Sequence, residues 1–263
     1  TGNLVEGNKI GTDASGTAAL GNTFDGVDIF GGATNNTVGG TTLGARNLLS
    51  ANHIDGVGIS GPGTSGNVVA GNFIGTDASG TAALGNTGTG VDIFGGATGN
   101  TIGGTTAGAR NLISGNKQQG VAISGAGTSG NVVEGNFIGT DASGRAALGN
   151  AGSGVDIFGG ASNNMVRDSV ISGNTIFGVA ITGSGTSGNV LAGNFIGTDV
   201  SGTAAIPNVN NNAVAIFGGA TGNTVGGTTA ADRNVISGSR FSAVAISDAG
   251  TSGNVVEGNY PVS

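Results

Sequence analysis

The chain has 263 residues, 58 of them Gly and 29 Asn, with no Cys, 9% charged residues and a formal charge of −7. So much Gly excludes a helical bundle, because each Gly in a helix interior costs about 1 kcal/mol, and the 37% apolar content excludes disorder. The acidic balance argues against nucleic acid, no apolar run is long enough for a membrane-spanning helix, and no disulfide framework or thiolate metal site exists.

The chain opens inside a repeat, at Thr1-Gly2-Asn3, and reads as a fragment of a longer chain organised as one domain over 1–263. A near copy of Gly-Asn-Phe-Ile-Gly-Thr-Asp begins at Gly7, and full copies begin at Gly71, Gly135 and Gly193. Between them, Val-x-Ile recurs at Val27/Ile29, Val57/Ile59, Val91/Ile93, Val121/Ile123, Val155/Ile157, Val179/Ile181, Val214/Ile216 and Val244/Ile246. A second apolar position follows 11 or 12 residues later, at Val38, Val69, Ile102, Val133, Val166, Leu191, Val225 and Val256. A third short segment ends in Leu49, Ile74, Ile113, Ile138, Ile171, Ile196 or Ile236. Short β-branched runs with period two, bounded by Gly and Asn, predict strands. Three strands per unit, repeated, predict a coil whose Val and Ile point inward onto their copies above and below, at about 4.8 Å per coil. The expected architecture is an all-β, right-handed parallel β-helix (a solenoid) of about eight three-stranded coils.

Two Asn files support that stacking. One runs from Asn3 and Asn36 to Asn254, two residues before each second core position; the other from Asn8 and Asn47 to Asn259, broken by Ser169. Amides that share the inward face must satisfy one another along the rod. With the units 71–86 and 100–116 as carriers, the chain resembles bacterial right-handed parallel β-helix repeat proteins of long secreted or surface arrays. The resemblance covers essentially the whole chain and implies the fold. It leaves function open, because that fold hosts polysaccharide lyases, hydrolases, epimerases, adhesins and passive stalks.

Two insertions alternate, 40–46, 104–110 and 227–233 before the third strand, and 11–22, 75–86, 139–150 and 197–208 after it. They flank the outward column of the third strand, which includes Phe73, Phe137 and Phe195. Two readings follow. Leu20, Leu84, Leu148 and Ile206 fold down and cover the column, or it forms an open groove whose rings stack on sugar. The coil at 154–178 lacks the first insertion, and the notch expected there, near Met165, Arg167, Asp168 and Phe177, is the expected ligand-binding locus. Outward Phe30, Phe94, Phe158 and Phe217 on the first strand alternate with Ser or Thr, so successive rings lie two coils apart, about 10 Å. The pairs Asp13/Asp28, Asp77/Asp92 and Asp141/Asp156 suggest a calcium site in which loop carboxylates act as ligands, against the alternative of Asp bonding turn amides. No cofactor is otherwise expected.

Catalytic signals are sparse. His53 is the sole His, and the acids follow the repeat. Arg46, Arg110 and Arg233 recur with their loop, which suggests loop anchoring to carboxylates. The expected function is a structural or adhesive module, secreted or on the cell surface, with polysaccharide as partner and without nucleic acid or membrane insertion. End-to-end or side-by-side self-association is a further expectation, because solenoid ends expose strand edges. Two alternatives stand beside it: a polysaccharide-active lyase or glycoside hydrolase, and an ice- or surface-binding protein using the outward Thr/Val file of the second strand.

Overall fold

The computed structural model describes residues 1–261. Its strands form three parallel sheets of 9, 9 and 8 strands, and each strand pairs with its copies one coil before and after. The first sheet holds the four-residue strands such as Val27–Phe30 and Val57–Ser60, the second the three-residue strands such as Thr37–Gly39, and the third the two-residue strands such as Leu48–Leu49. The chain visits first, second and third sheet in turn and then climbs one coil, which makes a right-handed parallel β-helix of about eight coils. Register is strict: Val121 pairs with Val91 and Val155, and Ile123 with Ile93 and Ile157.

The inward Val and Ile form one continuous core, with Val57, Ile59, Val69, Ile74 and their copies through the middle coils fully buried. Asn amides close the corners. In the file from Asn3 to Asn254, each Nδ2 donates to the next Oδ1 at 2.8–3.1 Å. The file from Asn8 to Asn259 does the same except at Ser169, whose hydroxyl accepts from the Asn136 backbone N–H. A third file was not anticipated: Asn22, Asn52, Asn86, Asn116, Asn150, Asn174 and Asn208 link at 2.9–3.2 Å at the corner entering the first sheet. Gly75 shows why Gly borders these amides. Its φ is +88°, and a Cβ there would lie 2.3 Å from Asn116 Oδ1.

The long loops are ordered by the same axial logic. Each closes on itself through a bridge such as Thr76 to Ala83, and successive loops join through Ala78 N–H to Gly16 O, Ala142 N–H to Gly80 O and Val200 N–H to Gly144 O. These loops cover the outward column of the third sheet. Leu48, Phe73, Leu112, Phe137 and Val170 are buried there in a second apolar cluster, with Phe195 and Val200 packed against it.

Candidate functional site

Of the two readings of the outward column, the rings are largely covered: Phe73 and Phe137 are buried and Phe195 is half-buried. The cover is not the leucines, since Leu20 is 68% exposed and only Ile206 is buried. It is the Asp-x-Ser-Gly turn of each loop. A Cβ at Gly80 would lie 2.9 Å from the Phe73 ring, one at Gly144 2.8 Å from Phe137, and one at Gly202 2.7 Å from Phe195. Arginine completes the lid. The guanidinium of Arg46 stacks 4.0 Å from the Phe73 centroid and that of Arg110 4.2 Å from Phe137. Their Nε atoms donate to the Gly71 and Gly135 carbonyls, so these loops are anchored to backbone and not to carboxylates.

The expected notch exists as a cleft of about 160 Å³ lined by Met165, Arg167, Asp168, Val190, Ala192, Ala231 and Asp232. Phe177 lies elsewhere, its ring 5.8 Å from that of Phe217. The charge in the notch is already compensated, because Arg167 pairs with Glu134 at 2.5 Å and with Asp168 at 3.1 Å.

The members of each aspartate pair have different surroundings. Asp13, Asp77 and Asp141 each turn inward on their own loop: Asp77 Oδ1 accepts from the Thr81 and Ala82 N–H groups, and its Oδ2 from the Ser79 hydroxyl. Such bonding stabilises the carboxylate. The Ser15 hydroxyl and turn amides lower the Asp13 pKa; at Asp77 and Asp141, burial pushes upward but is outweighed by the same kinds of bond. Asp28, Asp92 and Asp156 instead stand on the outer face of the first sheet. No group of three or more His, Cys, Asp or Glu suited to a metal occurs among the described residues.

That outer face gathers the most unusual chemistry of the chain. Successive coils present Asp28, Gly58, Asp92, Ala122 and Asp156 in register, and two residues on Phe30, Ser60, Phe94, Ser124 and Phe158. Same-face positions are two residues apart, so each carboxyl sits beside a ring. Phe30 is 62% and Phe94 39% exposed, and Phe158 is half-buried. Asp25 and Asp55, which the sequence reading passed over, join the acids from the corner. Asp25 accepts from the Asp55 N–H at 2.8 Å, and Asp55 from the Thr89 N–H at 2.6 Å. Asp25 and Asp28 both reach to 3.2 Å of the point where a side chain at Gly58 would begin.

Crowding in a half-buried setting favours the protonated acids. Burial, then Asp55 and Asp25, push the Asp92 carboxyl up to about 7. Burial pushes Asp55 up to about 6 against the Thr89 amide, and Asp156 up to about 6 against Gln119. Asp92 Oδ1 and Asp156 Oδ1 are buried with no hydrogen-bond partner. The sequence signal for the two missed acids was available. Two residues before the core Val, later coils carry Thr89, Gln119 and Ser153, so Asp25 and Asp55 depart from the repeat.

No sequence-family model and no curated protein matches the chain. Among solved structures it is similar to the periplasmic alginate epimerase AlgG (14% identity, 86% of this chain and 47% of that one, TM-score 0.49). It is also similar to the A-module of the Azotobacter vinelandii mannuronan C-5 epimerase AlgE4 (12%, 89% and 52%, 0.46) and the catalytic domain of a GH87 α-1,3-glucanase (12%, 95% and 60%, 0.31). The chain thus spans about half the length of the two epimerase structures. Identities of 12–14% carry no catalytic residue from those proteins to this one.

Proposed function

We propose that this protein is a rigid polysaccharide-binding module, secreted or displayed on a cell surface, that holds an extended neutral glycan along the outer face of the first sheet. The observation that carries this reading is the axial series of carboxyls, Asp28, Asp92 and Asp156, each followed two residues on by a ring, with Phe30 62% and Phe94 39% exposed. Sugar rings offer an apolar face for stacking and hydroxyls for carboxyl oxygens, so one Asp–Phe pair engages one sugar on both terms. The polysaccharide-acting proteins that share the coil architecture agree with this partner class but do not carry it.

Calorimetry against soluble neutral polysaccharides tests the reading. Phe94→Ala is expected to weaken binding about tenfold, the loss of roughly 1.4 kcal/mol of ring contact. Its melting temperature should stay unchanged, because the ring is outside the core. Equal affinity in wild type and variant would remove the proposal.

One observation favours a second reading, polysaccharide cleavage on the same face. Asp55 helps raise the Asp92 pKa, and a carboxyl pushed up to about 7 still carries a proton at neutral pH, as a general acid requires. Release of reducing ends that disappears in Asp92→Asn, with binding retained, would establish it. No release from any polysaccharide that the wild type binds would eliminate it.

A further inference from the structure

Arg46 and Arg110 occupy equivalent places two coils apart beside the third sheet, and the coil between them carries no matching loop. Between them lies a cleft of about 370 Å³, floored by Phe73, Leu112 and Phe137 and flanked by Ala78, Ser79 and Ala142. Each guanidinium is fixed on two sides, by the ring beneath it and by the carbonyl that takes its Nε hydrogen. Among the described residues, the terminal nitrogens have no hydrogen-bond acceptor. Every ion pair among the described residues belongs to Arg167, and no acid lines the cleft.

This arrangement is unusual for a structural lid. The chain has 15 acids against 8 Lys and Arg, so a counter-charge is easy to supply, as Glu134 and Asp168 do for Arg167. Half-buried cations without a counter-charge are destabilising, and burial lowers the pKa of both arginines accordingly. A planar fork that is oriented, partly desolvated and unpaired matches the geometry of a carboxylate or sulfate oxygen pair.

We propose that this cleft binds a linear glycan bearing oxyanions, carboxylate or sulfate, with Arg46 and Arg110 each taking one charged group. The two groups lie two coils, about 10 Å, apart, the period of a disaccharide in an extended chain. The site is independent of the first-sheet face. It has the opposite charge and shares no residue with it. The third-sheet rings act here by holding the guanidiniums, not by stacking on sugar.

The test is calorimetry on the intact chain with four probes: a polyuronate hexasaccharide, a sulfated hexasaccharide, a neutral hexasaccharide and inorganic sulfate. The charged hexasaccharides are expected to bind, more weakly as salt rises, and Arg46→Gln/Arg110→Gln is expected to lower their affinity at least about tenfold. Arg46→Gln/Arg110→Gln should leave binding of the neutral hexasaccharide unchanged, which separates the site from the face proposed above. Whichever of the two charged probes binds more tightly identifies the oxyanion. If the Gln pair fails to fold, Arg46→Lys/Arg110→Lys decides, since it keeps the charge and loses the fork. Weakened binding at an unchanged melting temperature supports the site, and unchanged binding overturns it. Charged probes that bind no tighter than the neutral one overturn it as well. Inorganic sulfate binding as tightly as the sulfated hexasaccharide would reduce the site to a simple ion site and overturn the glycan assignment.

Discussion

At the scale of single residues, the first-sheet acids set a pH dependence whose sign follows from their environment. The ordinary Asp value is 3.8, and the folded protein holds Asp92 up at about 7 and Asp55 and Asp156 at about 6. Between those values the folded state binds more protons than the unfolded one, so stability falls as pH rises from about 4 to 7 and then levels off. Asp77 and Asp141 act the other way. Their lowered pKa means that their contribution is present above pH 4 and lost as pH falls further. Greatest stability is therefore expected in mildly acid solution. Asp92→Asn removes the largest of the upward shifts. Thermal unfolding should show the variant more stable than wild type at pH 7.5, by on the order of 1–2 kcal/mol after allowance for solvent screening. At pH 4 the two should coincide, because Asp92 is already neutral there. A variant no more stable at pH 7.5 would mean that water solvates this carboxylate in the folded protein.

At the scale of elements, the strands were legible because inward Val and Ile recur with period two in every coil, and a one-residue slip would turn the whole set outward. Two amide files were legible for the same reason. The third was not, because Asn22 and its copies sit at the far end of the long loops or in the corner before the first strand, away from the apolar marker used to align coils. What covers the third-sheet rings was not legible for a related reason. A two-residue strand such as Phe73–Ile74 shows which side is inward, but nothing in its sequence reveals what lies over the other side. The cover at Phe137 is Gly144, whose φ is +68° and whose missing Cβ leaves room for the ring. Gly144→Ala is expected to destabilise by about 1–3 kcal/mol through strain and ring displacement. The broken amide file gives the opposite prediction. Asn136 Nδ2 donates only to Ile102 O, whereas Asn111 Nδ2 bonds both Val69 O and Asn136 Oδ1. Ser169→Asn restores the missing rung and should stabilise by about 1 kcal/mol in chemical denaturation. A loss of stability would show that this coil, which lacks the 104–110 type of loop, is too tight for the longer side chain.

At the scale of the whole molecule, the rod converts a repeat in sequence into a ruler. Three amide files and the loop-to-loop bonds run parallel to the axis, so the spacing of surface groups is fixed by the backbone and not by side-chain choice. On the first sheet, Asp28/Phe30, Asp92/Phe94 and Asp156/Phe158 recur every second coil, about 10 Å apart. The series ends there. The next Asp position is Ala180 and the following one Ala215, and the Phe217 ring packs on Phe177. A glycan bound in register therefore gains one contact pair per disaccharide, and each added pair binds at the high effective concentration created by the pairs already engaged. Affinity should rise stepwise from di- to tetra- to hexasaccharide and then level off, because a longer chain finds no fourth pair. The central position is decisive, since Phe94→Ala splits the face into two separated sites. It should lower hexasaccharide affinity more than Phe158→Ala does, while the two variants affect a disaccharide about equally. Calorimetry on the length series reads both effects. Affinity that is flat from the disaccharide upward would mean that each sugar binds on its own, and the fixed axial spacing would then have no part in recognition.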